Sequence, residues 1–152
     1  MKTGIYITVM LVIIVLLAKV LSPGSFLEAE RYELDISEKA LMQIIHEFKN
    51  EHKEFCVPDS LNIKDGRENA DDLWYNIYFY FPKDTTIMYA WIRQVEYRTT
   101  TIALVSVKLN DGMPEWKIIN RDFSSSDNKK QKGRFEKQII LPLKKIISKK
   151  ES

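Results

Sequence analysis

The sequence predicts an α+β domain held behind an N-terminal transmembrane helix. Three observations carry that prediction. An apolar run from Gly4 to Leu21 opens the chain. Two stretches with helical hydrophobic spacing, Leu41 to Phe55 and Phe135 to Ile147, bracket the body. Between them, from Leu73 to Asn120, apolar and aromatic residues alternate as in strands joined by short turns.

The apolar run is the first element. Twelve of its eighteen residues are Ile, Leu or Val, each favouring insertion by roughly 0.3–0.6 kcal/mol, while Lys19 opposes it by at most ~3 kcal/mol and can snorkel from the end. As a helix it spans about 27 Å, close to the hydrocarbon thickness of a bilayer. Lys2 ahead of the run fits either an uncleaved signal anchor or a cleaved signal peptide. The passable cleavage site is Ser22-Pro23-Gly24, and Cys56 lies too far downstream for a lipoprotein. Lys2 also favours a body outside the cytoplasm, periplasmic or secreted if the signal is cleaved. The expected organisation is a signal anchor or signal peptide over 1–21, a linker over 22–34 and an extracytoplasmic domain over 35–152.

Ser22-Pro23-Gly24-Ser25 breaks the first helix, and Phe26 to Glu33 reads as a short acidic linker. Ser37 is then an N-cap, with Glu38 at the positive end of an amphipathic helix of about 18 residues. Leu41, Ile44, Ile45, Phe48, His52 and Phe55 share its apolar stripe, and Lys49 falls outside it. Pro58 to Asp72 is a polar loop whose Leu61 and Ile63 are placed to tuck back onto the core. Four strands follow: Leu73 to Phe81, Thr86 to Tyr97, Thr101 to Leu109 and Glu115 to Asn120. Their short connections predict a four-stranded antiparallel meander. On the third strand, alternation puts Ala103, Val105, Val107 and Leu109 on one face. Ser124 and Asp127 have capping-box spacing at the start of a basic C-terminal helix, which Pro142 should kink or divide. Both helices are expected to pack on one face of the sheet. The element order, with its aromatic strand pair and Trp116-Lys117-Ile118 hairpin, resembles small cystatin-like or nuclear-transport-factor-like domains. The resemblance implies a shape and no function.

Charge is unevenly spread. The chain of 152 residues carries 23 basic and 21 acidic side chains, for a net +2, too little for a protein whose whole surface grips nucleic acid. From Lys129 onward nine basic residues face two acidic ones, whereas the preceding part is acidic. One cysteine excludes an internal disulfide and a multi-cysteine zinc site. No phosphate-loop, nucleophile-elbow or metalloprotease motif is present.

Few groups invite chemistry. His46 and His52 are six residues apart and point about 120° away from each other on a helix, so they cannot share a metal. Cys56 has His52 four residues before it, within reach only if the helix continued. The acidic loop Asp65 to Asp72 fails the calcium-loop pattern, and its Arg67 is expected to pair with its own carboxylates. Neither cofactor nor metal is expected. The body's most unusual feature is aromatic. Alternation sends Tyr75, Ile77, Phe79 and Phe81 to the core, and Trp74, Asn76, Tyr78 and Tyr80 to the opposite face. With Tyr89 and Trp91 of the next strand, Trp74, Tyr78 and Tyr80 form a candidate binding face for a ligand or a protein partner. Only Arg93 and Arg98 lie near, too few for a single-stranded nucleic-acid platform. A second candidate surface is Lys137, Lys144, Lys145, Lys149 and Lys150, suited to anionic lipid headgroups or an acidic partner. The function these features favour is a membrane-tethered, non-catalytic binding or interaction domain. Alternatives are a small-ligand binder or enzyme with a pocket between sheet and helices, and an envelope structural or immunity-type protein acting through the aromatic face.

Overall fold

The structure, a computed structural model, describes residues 26–110 and 115–150. The expected membrane segment, residues 4–21, lies outside these, and among the described residues no helix is long and apolar enough to cross a membrane.

The body is a mixed helix and antiparallel-sheet fold. Strands β2 (Tyr75–Phe81), β3 (Thr86–Glu96), β4 (Thr99–Lys108) and β5 (Trp116–Ile118) form the expected meander. A further strand, β1 (Glu30–Leu34), corrects the reading of residues 26–33 as linker. It pairs with Thr100–Leu104 of β4, and β5 pairs with Ser106–Lys108 along the same edge. The Ile119 amide donates to the Val105 carbonyl at 2.9 Å between the two short strands. The strand is easily overlooked because only Tyr32 and Leu34 are apolar, and charged Arg31 and Glu33 occupy its exposed positions.

Helix α1 (Glu38–Glu51) starts where the sequence predicts, with the Ser37 hydroxyl accepting from the Ala40 amide. It is shorter than expected, since His52 leaves helical geometry and a 3-10 turn, Lys53–Phe55, follows. Leu41, Ile44, Ile45 and Phe48 are buried, whereas His52 is exposed. Helix α2 (Ser125–Phe135) is capped by the Ser124 hydroxyl, which accepts from the Asp127 amide at 3.2 Å. A π turn, Glu136–Ile140, leads into α3 (Leu141–Lys150). Pro142 supplies no N–H to the turn before it, and the looser π geometry takes up the mismatch.

Both helical layers cover one face of the sheet. Ile44 and Phe48 of α1 share a core with Phe135, Ile139 and Leu143, against Ile77, Phe79, Ile92 and Leu104 of the strands. The sequence places Ala103, Val105, Val107 and Leu109 on a single face, and here a β-bulge corrects it. Ala90 pairs with Leu104 but Tyr89 pairs with Ser106, which leaves Val105 as an extra residue in β4. Ala103 and Val105 therefore belong to the face away from the helices, and Val107 to the helical core.

Polar staples fix the periphery. Asn120, at φ 62°, donates to the Glu28 carbonyl at 2.7 Å and accepts from Asn128, tying the start of β1 to α2. Arg134 of α2 grips Asp84 in the β2–β3 turn with two bonds, 2.7 and 2.9 Å, while lying over the Phe81 ring. That guanidinium holds the Asp84 carboxyl below its ordinary pKa. A carboxylate with a depressed folded-state pKa stabilises the fold above its unfolded pKa, and the gain is lost as pH falls through the folded value. Asp84→Asn should thus cost up to about 1 kcal/mol at pH 7. Parent and variant should converge in denaturant midpoint as pH drops below ~3.9.

Candidate binding face

The sheet face away from the helices carries the aromatic residues. Cross-strand register places Tyr78 opposite Tyr89, Asn76 opposite Trp91 and Tyr80 opposite Ile87. Trp74 meets Trp91 edge-on with centroids 4.3 Å apart, and Tyr78 stacks on Tyr89 at 5.1 Å. The Tyr89 hydroxyl donates to the Asn76 side-chain carbonyl at 2.8 Å. The Arg93 guanidinium lies 4.7 Å from the Trp74 ring centre. The five aromatic residues singled out from the sequence, Trp74, Tyr78, Tyr80, Tyr89 and Trp91, therefore share one surface.

Further contributors were not legible in the sequence. Phe26 packs on the face with its ring 6.1 Å from Trp74, 6.4 Å from Tyr89 and 6.3 Å from Trp91. Trp116 of β5 approaches Tyr78 and Tyr89 at 6.1 and 6.2 Å. The bulge turns Val105 and Ser106 toward the same side. Together with Ile63 and Ile118, these residues line an open, mainly apolar groove of about 430 Å³. Ile63 thus covers the aromatic face, and Leu61 joins it beside Tyr80 and Ile87. Burial pushes the Tyr89 hydroxyl up to about 12, with the neighbouring Tyr78 and Glu68 adding to the shift. Burial, then Glu68 and Asp65, raises Tyr78 as well. Both phenols are neutral hydrogen-bonding groups at physiological pH. The indole N–H of Trp91, buried under Phe26 and Trp74, has no acceptor among the described residues.

The lysine surface lies elsewhere. Lys137, Lys144, Lys145, Lys149 and Lys150 are all exposed. They project from helices packed on the opposite face of the sheet, and Lys150 pairs with Glu47 of α1 at 2.7 Å. A single flat surface cannot touch both candidate regions at once.

A cleft of about 610 Å³ runs between α1 and β2 beside Met42, His46 and Tyr75. Lys49 sits at its floor and is buried, which its place outside the apolar stripe did not predict. Its ammonium donates to Asp65 Oδ2 at 2.6 Å and to the Tyr78 carbonyl at 2.7 Å. Asp65 Oδ1 accepts from the Tyr78 amide at 2.9 Å, and Gly66 exchanges two backbone bonds with Asn76. The acidic loop therefore closes the outer edge of β2, which would otherwise expose unpaired backbone groups. Arg67 reaches Glu38 rather than the loop's own carboxylates.

The remaining candidates are dispersed. His52 rests on Phe48 at 4.8 Å and contacts Glu54, while His46 is exposed. The Cys56 thiol points at the Lys49 carbonyl, 3.5 Å away. Among the described residues no cluster of His, Cys, Asp or Glu could hold a metal ion. Comparison with protein-family models, curated proteins and solved structures found no significant match.

Proposed function

We propose that the chain is a membrane-tethered, non-catalytic binding domain that works through its aromatic sheet face. The observation that carries this reading is an open apolar groove at Phe26, Tyr78, Tyr89 and Trp116, on the side of the sheet the helices leave uncovered. Interfaces of this kind are enriched in Tyr and Trp because large rigid rings bury area at little entropic cost, and their polar edges can still hydrogen-bond. The tether is supplied by residues 4–21, whose insertion arithmetic is favourable, with the body outside the cytoplasm.

A second reading, a small-ligand binder, draws on the cleft between α1 and β2. Its central charged pair, Lys49 and Asp65, is already engaged with itself and with the Tyr78 backbone. That engagement takes the buried charged pair out of ligand recognition, leaving Lys39, Gln43 and His46 among the polar groups along the cleft, and favours the first reading.

Photocrosslinking separates the surfaces. A photoreactive residue placed at Tyr80 in the full chain, in its native membrane, should form adducts far more efficiently than one placed at Lys145. Adducts from Lys145 with none from Tyr80 would contradict the assignment.

A further inference from the structure

We infer that the aromatic face binds the bilayer interface itself, with its indoles and phenols seated at headgroup level on the membrane that holds residues 4–21. The inference rests on the tether reading and names the partner of the same face.

Chain connectivity is the first support. Phe26 is packed into the aromatic cluster, so the N-terminal segment joins the domain at this face and not on the helical side. Four residues, Ser22 to Ser25, lie between Leu21 and Phe26. Five fully extended steps reach only ~17 Å, close to the ~14 Å radius of gyration of a domain this size. The tether is too short for the domain to stand well clear of the lipid, and the part it holds nearest is the part around Phe26.

Chemistry is the second. Tryptophan and tyrosine concentrate where membranes meet water, because one end of each ring is apolar and the other hydrogen-bonds. The chain has three tryptophans; Trp74 and Trp116 are half-buried on this face beside Tyr78, Tyr80 and Tyr89, and Trp91 lies buried beneath them. Leu27 and Leu73, next in sequence to Phe26 and Trp74, are 65% and 60% exposed. Arg93, stacked on Trp74, supplies a donor for lipid phosphate. The lysine-rich helices cover the opposite face of the sheet, so in this orientation they point away from the bilayer.

The apolar segment contains no tryptophan, which makes intrinsic fluorescence a report on this face alone. The full chain is reconstituted into phosphatidylcholine vesicles containing lipids brominated either near the acyl carbonyl or near the chain terminus. Shallow bromines should quench most of the emission and deep ones much less, and Trp74→Phe with Trp116→Phe should remove most of the quenched signal. Replacing Lys144, Lys145, Lys149 and Lys150 with Gln should leave the quenching unchanged. Emission that is identical in brominated and plain vesicles, from chain that sediments with them, overturns the inference and leaves the tether standing. It would point to a protein occupant if native-membrane crosslinks from Tyr80 ran to polypeptide. Loss of quenching in the lysine variant would equally overturn it. Chain that fails to sediment with vesicles overturns the tether reading, and this inference with it.

Discussion

Phe135→Ala is expected to cost about 3–5 kcal/mol, the range for emptying a fully buried aromatic site. Phe135 has no exposed surface and ends α2, with its ring 5.9 Å from Tyr32 of β1 and 5.8 Å from Phe79 of β2. It is where the C-terminal helices, the edge strand and the meander meet, so the cavity cannot be filled by moving one element alone. Domains of this size are stable by only ~5–15 kcal/mol, so the variant should lose about a fifth or more of its stability. Phe135→Leu, which keeps most of the volume, should cost about 1.5 kcal/mol or less. Denaturant midpoints of the full chain in detergent, read by tryptophan emission, measure both. A loss below ~1 kcal/mol for Phe135→Ala would show that the helices do not anchor there.

Lys49→Met is expected to destabilise by about 2–3 kcal/mol, somewhat under the 3–5 kcal/mol seen when a fully buried ion pair loses one partner. The methionine keeps the stem that packs beside Phe79, where the ammonium lies 4.9 Å from the ring centre. What it removes is the donor shared by Asp65 and the Tyr78 carbonyl. The side chains of the pair are 11% and 29% exposed, so water can reach the orphaned carboxylate in part. Asp65→Asn should cost a similar amount, because Lys49 and the Tyr78 amide donate to different carboxylate oxygens and an amide keeps only one of these, setting its NH2 against the other donor. Hydrogen exchange at Tyr78 should rise in Lys49→Met before exchange in the core does, because the loop closing the edge of β2 is held by this pair. Uniformly faster exchange across the sheet would contradict a local role.

The parts of this fold that were legible in the sequence are those set by local periodicity. The α1 stripe from Leu41 to Phe48, the caps at Ser37 and Ser124, and the split of β2 into Phe79 and Phe81 against Tyr78 and Tyr80 all follow from spacing along one element. The parts that were not legible depend on residues distant in sequence. The β1 strand offers two apolar residues among charges, and only pairing with β4 makes it a strand. Lys49 is buried by a carboxylate sixteen positions later, in a loop with no pattern of its own. The bulge at Val105 has no marker such as glycine, so alternation carried past it gives the wrong face for half of β4. For the candidate face, five aromatic residues could be grouped from two adjacent strands. Phe26 and Trp116 reach it from segments ninety residues apart, ahead of β1 and in β5, which share the β4 edge, through contacts that no single element encodes.

Connectivity at Phe26 has meaning for membrane docking only if residues 4–21 stay attached and inserted. Carbonate extraction of native membranes, followed by intact-mass measurement, tests this directly. The expected result is recovery of the full chain, Leu21 and Phe26 still joined, in the carbonate-resistant pellet. Recovery of a chain beginning at Ser25 in the soluble fraction would contradict it.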